Sequence, residues 1–448
     1  MPFQSSTPVR ALATAAALSL ASVLLVVPVA PLAAQQLAPA ELRMRTYLQQ
    51  HRADEVALLA KAINIKSQTL DLAGVRTVGR LFADELKALG FTTRWVEMPA
   101  SMNRAGHLVA ERSGRSGKRL LLIGHLDTVV EGDTLGFVQL DSVTAKGAGG
   151  GDMKGGDVAI VYALKAMQAA GVLDNTTITV VMTGDEEAAG DPLPVARAAL
   201  IDAARHSDIA LAFEGGNRAD ATVARRGASS WLLTITGRGA HSAGIFGQGA
   251  GYGAVFEAAR ILNEFRTQLS GTPNLTFNPS VIVGGTDVSF DSTKVSGTVA
   301  SKLNIISANT TVAGDLRFLT EGQKDSTRAR MRDIATHNNL AGTSAKIDFA
   351  DEYPAMAPTP ANYAVLAVYD SASQALGYGP VAALDPSKRG AGDISFVGPI
   401  IPGLDGLGAM GSGSHTPNER VNLGTLTMQT ERAALLFYRL TRPDKPVP

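Results

Sequence analysis

Two histidines and a series of carboxylates follow short apolar runs in this chain. They lie in Gly124-His125-Leu126-Asp127, Gly149-Gly150-Gly151-Asp152-Met153-Lys154-Gly155-Gly156, Gly184-Asp185-Glu186-Glu187, Phe213-Glu214-Gly215-Gly216 and Gly413-Ser414-His415. With 0 Cys, thiolate metal sites, disulfides and cysteine nucleophiles are excluded, so any metal must be held by His, Asp and Glu. Alternation past a strand end turns His125 and Asp127 to one side, where the carboxylate can orient the imidazole or its surroundings. Taken singly, His125 also reads as an ordinary structural histidine, and the glycine loop around Asp152 as a plain turn. That loop lacks P-loop spacing, and its central acid would repel phosphate. Asp185, Glu186 and Glu187 are costly to gather unless a cation sits among them, although a solvated acidic turn fits equally well. Adjacent residues do not easily face one ion, so one glutamate can ligate while its neighbour stays free as a base. Collected, His125, Asp152, Glu187, Glu214 and His415 suit two zinc ions with one bridging carboxylate.

The elements that must position these groups alternate. Residues 42–90 carry helical apolar spacing, and 119–124, 176–183 and 208–213 read as strands, with a helix at 157–170. This rhythm predicts a mostly parallel sheet with helices on both faces, with ligands beyond the carboxyl ends of its strands. Around Ala224 the character changes. A strand at 229–236, a helix at 251–265, a strand at 280–284, a loop at 286–301, a strand pair at 303–307 and 311–318, and a helix at 321–337 make an α+β module. After Pro354 the α/β rhythm returns, with helices near 363–376 and 425–440. The expected organisation is a catalytic domain over 35–223 and 347–448, interrupted by a smaller α+β domain over 224–346.

Before this, Arg10 precedes an Ala-, Leu- and Val-rich run that ends at Ala33-Ala34, which describes a signal peptide over 1–34 and a secreted or periplasmic protein. No second run reaches membrane length, so no membrane is expected for the mature form. With 41 Lys+Arg against 41 Asp+Glu, nothing marks a nucleic-acid partner.

The set GHLDTV, GGGDMKGG, TGDEE, FEGG and GSGSHTPNE, in this order, resembles the acetylornithine deacetylase, succinyl-diaminopimelate desuccinylase and glutamate carboxypeptidase family of co-catalytic zinc hydrolases. The resemblance implies a zinc-exopeptidase-like catalytic domain carrying a dimerisation (lid) domain. By this similarity Asp152 bridges two zincs, His125 and Glu214 complete one, and Glu187 and His415 the other; cobalt or manganese can substitute. Asp127 supports His125, and Glu186 is the general base. The segment Thr236 to Ser242 resembles the one whose histidine, here His241, reaches the active site of a partner subunit, which implies a homodimer through 224–346. Asn304 and Arg317 match substrate-binding positions, and the planar fork of an arginine suits a substrate carboxylate.

The chain also departs from the family. Ser307 replaces a usual proline, Ala188-Ala189-Gly190 lengthens the stretch after the double glutamate, and the loop at 286–301 is extra. Glu352-Tyr353-Pro354 stands where the glutamate carboxypeptidases carry a second arginine, and Lys388-Arg389 is either its replacement or a solvated basic pair. The expected activity is that of an exported carboxypeptidase-type enzyme acting on a peptide bond next to a free carboxylate. The alternatives are an N-acyl-amino-acid deacylase and a non-catalytic binding protein, which would have no need of Glu186.

Overall fold

The computed structural model describes residues 36–129 and 136–442, so the leader-like segment 1–34 lies outside it. A central sheet contains β1 (Thr92–Val96), β2 (His107–Arg112), β3 (Ser116–His125), β4 (Thr176–Thr183) and β5 (Ile209–Ala212), with the short strand Gly403–Leu404 at one edge. Its order is β1-β2-β4-β3-β5 followed by Gly403–Leu404. β3 runs parallel to β4 and β5, and β5 parallel to the edge strand, whereas β2 runs antiparallel to both of its neighbours, β1 and β4. The interior of β3 is buried on both faces, which a run of apolar residues without alternation requires. Leu120 and Leu122 enter a core with Val158, Phe213 and Phe437, while Leu121 and Ile123 enter another with Val181 and Ile394. Helices Gly155–Ala169 and Leu423–Thr441 cover the first of these faces.

A separate core holds the lid. Its sheet comprises β6 (Gly227–Gly237), β7 (Thr276–Gly285), β10 (Asn309–Phe318) and β11 (Thr343–Asp351), in the order β7-β10-β6-β11 and antiparallel throughout. Period-two alternation on β6 sends Trp231, Leu233 and Ile235 against helices Gly253–Leu269 and Glu321–Thr336, where they meet Ile261, Phe265 and Met331. The lid sheet runs past residue 346, because β11 continues to Asp351.

Two local expectations need correction. Residues 286–301 are not a loop: they form the hairpin β8 (Asp287–Asp291) and β9 (Ser296–Ala300). Asp291 Oδ1 accepts bonds from the main-chain N–H of Thr293 and Lys294 at 2.9 and 3.2 Å, which closes the turn. Conversely, 303–307 is not a strand, since it offers only the single bridge Ile305–His241. Among the described residues no helix is long and apolar enough to cross a membrane.

Candidate metal centre

Parallel register brings the first donors to one edge of the sheet. His125 on β3 lies beside Thr183 on β4, and Ile123 lies beside Ala212 on β5. Each chain then leaves its strand on the same side, delivering His125, Glu186 with Glu187, and Glu214 to the carboxyl ends of three neighbouring strands.

Asp152 arrives from the glycine loop that precedes helix Gly155–Ala169. Gly149 has φ 74°, a conformation that a residue with Cβ resists. A Cβ on Gly151 would lie 3.1 Å from the Cα of Gly411, so glycine permits the close pass that joins this loop to the His415 segment. His415 itself holds φ 64°, an uncommon value for a non-glycine residue, in the turn where Thr416 N–H bonds to Gly413 O at 3.1 Å.

The resulting geometry is two overlapping triads. His125 Nε2 lies 3.2 Å from Asp152 Oδ1 and 3.8 Å from Glu214 Oε1. His415 Nε2 lies 3.1 Å from Asp152 Oδ2 and 3.2 Å from Glu187 Oε2. Each oxygen of Asp152 therefore faces a different histidine. Ligand-capable atoms of His125, Asp152 and Glu214 fall within 4.8 Å of one another, as do those of Asp152, Glu187 and His415, and those of His125, Glu186 and Glu187.

Electrostatics favour cations within the cluster. Burial, reinforced by neighbouring carboxylates, pushes Glu186, Glu187 and Glu214 above the usual carboxylate range. Asp152 is also raised by burial, but its contacts with His125 and the charge of His415 outweigh this and hold it low. Burial would lower His125; its bonds to Asp127 and Asp152 and the charge of Glu214 reverse this and raise it. Four buried or half-buried acids gathered around two imidazoles repel one another unless cations stand among them. Nitrogen and oxygen donors in this number fit a pair of divalent ions.

Several supports were not visible in the sequence. The Nδ1–H of His125 donates to the main-chain carbonyl of Asp127 at 3.0 Å, leaving Nε2 facing the acids. The Asp127 carboxylate stands 3.5 Å from that ring and makes closer bonds elsewhere: it accepts from Thr69 Oγ1 at 2.6 Å and from the N–H of Glu186 and Glu187 at 3.0 and 3.1 Å. Glu419 accepts from the N–H of Gly149, Gly151 and Asp152 at 2.8, 3.0 and 3.0 Å. Asp185 turns away from the cluster and pairs with buried Arg197, which also binds Asp393. His107 Nδ1 accepts the N–H of Gly184 at 3.1 Å and thereby fixes the start of the acidic turn.

Other expected residues lie apart from the centre. His241, exposed on the lid, accepts the Ala243 N–H through Nδ1 at 3.2 Å. Asn304 stands beside it, its carbonyl accepting the Ser242 N–H at 2.9 Å. Arg317 is on β10, paired with Asp315 at 2.9 Å. No bond recorded among the described residues joins these three to the metal triads. Arg389 is not part of a solvated pair, because its guanidinium binds the carbonyl of Gly215, next to Glu214.

Comparison with known proteins agrees with this architecture. The chain is 27% identical over 396 residues to Carboxypeptidase G2 of Pseudomonas sp. (strain RS-16), covering 86% of this chain and 89% of that protein. The fold is similar to the aminopeptidase PepT of Bacillus cereus, with a TM-score of 0.68 and 16% identity over 87% of this chain and 99% of that one. It is also similar to the YXEP protein of Bacillus subtilis, a dinuclear metal-binding M20 peptidase, with a TM-score of 0.62 and 14% identity over 88% and 99% of the two chains. The model for peptidase family M20/M25/M40 matches residues 121–439, from the strand that carries His125 to the last helix, and the chain is therefore a metallopeptidase of that family.

Proposed function

We propose that this chain is an exported, homodimeric two-zinc exopeptidase of carboxypeptidase type, hydrolysing a peptide or N-acyl amino acid bond beside a free carboxylate. The observation that carries the reading is Asp152, whose two oxygens each face one histidine of a separate triad. In this reading His125, Asp152 and Glu214 would hold one ion, and Asp152, Glu187 and His415 the other. Bound there, divalent ions supply Lewis acidity toward the scissile carbonyl and the attacking water.

The chain's own groups perform the remaining steps. Glu186 sits within the cluster and takes the proton of the attacking water, then delivers it to the leaving amine. Its main-chain N–H is held by Asp127 at 3.0 Å, which fixes the backbone from which the carboxylate extends. Arg317, paired with Asp315 among the described residues, is available to exchange that ion pair for a substrate carboxylate. His241 of a second copy donates to the oxyanion, with Asn304 beside it.

Dimerisation has support of its own. β7 is an edge strand of the lid sheet, and beside it Phe246, Val255, Phe256 and Ile282 are between 44% and 56% exposed, an apolar surface suited to a second lid. The kinship to Carboxypeptidase G2 supports carboxypeptidase action. Tyr353 bonds to Glu186 O and supplies no second cation, which weakens the transfer of a C-terminal glutamate preference to this chain. Residues 1–34 support export by composition.

The test is to reconstitute the protein with zinc, count bound ions and screen C-terminally varied dipeptides and N-acyl amino acids. Two ions per chain, with turnover abolished by a chelator, are expected; one tightly bound ion at most would overturn the paired site. Glu186→Gln should abolish turnover with both ions retained, whereas Glu187→Gln should weaken metal binding. The reverse pattern would exchange the two roles.

A further inference from the structure

The lid joins the catalytic domain through two segments that run side by side. Arg225 and Met356 exchange main-chain bonds of 3.0 Å in both directions, Ala228 N–H donates to Tyr353 O at 2.8 Å, and Glu352 N–H donates to Ala228 O at 3.3 Å. Tyr353 thus lies in the return linker, two residues beyond the end of β11.

Its side chain leaves that linker for the catalytic domain. The hydroxyl donates to the main-chain carbonyl of Glu186 at 3.1 Å. The ring packs on Phe396, centroid to centroid 5.0 Å. Phe396 in turn lies 5.5 Å from the guanidinium carbon of Arg197, the buried cation that clamps Asp185 and Asp393. Residue 186 is therefore gripped from both ends: Asp127 holds its N–H at 3.0 Å, and Tyr353 holds its carbonyl. The first grip belongs to the catalytic sheet, the second to the interdomain linker.

We propose that Tyr353 is a positioning residue for hydrolysis, fixing the main chain of Glu186 and tying the aim of that carboxylate to the seating of the lid. The inference rests on the reading of Glu186 as the general base. Proton transfer depends steeply on placement, so loosening one end of the residue that carries the base lowers turnover without altering how substrate or metal binds. Burial keeps the phenol protonated, as a donor must be.

The test uses the zinc-loaded full chain and Tyr353→Phe, which removes the hydroxyl but keeps the ring on Phe396. Expected are a kcat reduced by about 5- to 50-fold, a KM within about twofold of wild type, and two ions still bound. Hydrogen exchange of the peptide spanning 182–188 should quicken, because the Glu186 carbonyl has lost its anchor. In a Glu186→Gln background the same substitution should change the residual rate by less than about twofold, since two residues acting as one unit are not additive. An unchanged kcat, unchanged exchange at 182–188, loss of an ion, or an equal loss in both backgrounds would each overturn the proposal. Should Glu186→Gln keep near-wild-type turnover, the base assignment fails and this inference with it. Should Glu186→Gln be nearly dead while Tyr353→Phe is unaffected, only this inference fails.

Discussion

At the scale of single residues, His125, Glu187 and Glu214 were legible because each follows an apolar strand, and Asp152 and His415 because each sits in a glycine-rich segment. Their supports were not. Glu419 acts on the main chain of a loop more than 260 residues away in sequence, and no local pattern announces such a partner. Asp127 was visible as a companion of His125, but its carboxylate spends its closer bonds on Thr69 and on the N–H groups of Glu186 and Glu187. Glu419 shows how much depends on these hidden residues. Its carboxylate satisfies three N–H groups around Asp152, groups that a glycine-rich loop would otherwise leave buried and unpaired. Glu419→Ala should therefore weaken affinity for both ions together, by about 10- to 100-fold, because Asp152 serves both triads. Competition against a chelator of known affinity measures this. Loss at only one of the two positions would show that Asp152 does not bridge.

At the scale of elements, β4 was expected over the span that it occupies, and helix Gly155–Ala169 within two residues, because a buried parallel strand and the helix packed on it carry dense apolar runs, Val180-Val181-Met182 and Val158 to Leu164. The hairpin β8–β9 was hidden by its Ser, Thr, Gly and Asp content, which resembles a loop, although Val288, Phe290 and Val299 alternate along it. Polar pairings between helices were equally invisible. Glu55, on helix Arg52–Asn64, is fully buried and accepts from Thr427 at 2.7 Å and Thr430 at 2.5 Å on helix Leu423–Thr441. Burial pushes its pKa to about 7, although both threonines pull it down. A carboxyl raised in the folded state binds more protons there than in the unfolded chain, so its contribution is fully present below about pH 4.3 and is lost as pH rises through about 7. Glu55→Gln, neutral at every pH, should remove this dependence. Relative to wild type the variant should gain on the order of 2–3 kcal/mol between pH 5 and pH 8. Urea unfolding of both proteins at the two pH values is the measurement, and parallel pH profiles would refute the assignment.

At the scale of the whole molecule, the interruption of one α/β domain by another module was legible from the change of rhythm near Ala224 and its return after Pro354. The relation between the two parts was not, because linker residues such as Tyr353 carry no periodic signal. The same scale decides the role of His241. Within one chain it is exposed on the lid, its Nδ1 accepts the Ala243 N–H, and among the described residues it makes no bond to the metal triads. If it completes the oxyanion site of a second copy, His241→Ala should cut kcat by about 10²–10³, the loss expected for one oxyanion donor, with metal content unchanged. A mixed dimer separates action across chains from action within one. When a His241→Ala chain pairs with a Glu186→Gln chain, one site receives both defects and the other neither, since each site draws its histidine from the opposite chain. The mixed dimer itself should have half of the wild-type activity, and a statistically exchanged equal mixture about a quarter, although each parent homodimer is nearly inactive. A histidine acting within its own chain would leave one defect in every site, and mixing would restore nothing. A monomer with full activity would remove the dimer from the mechanism altogether, and sedimentation of the active, zinc-loaded protein decides that point directly.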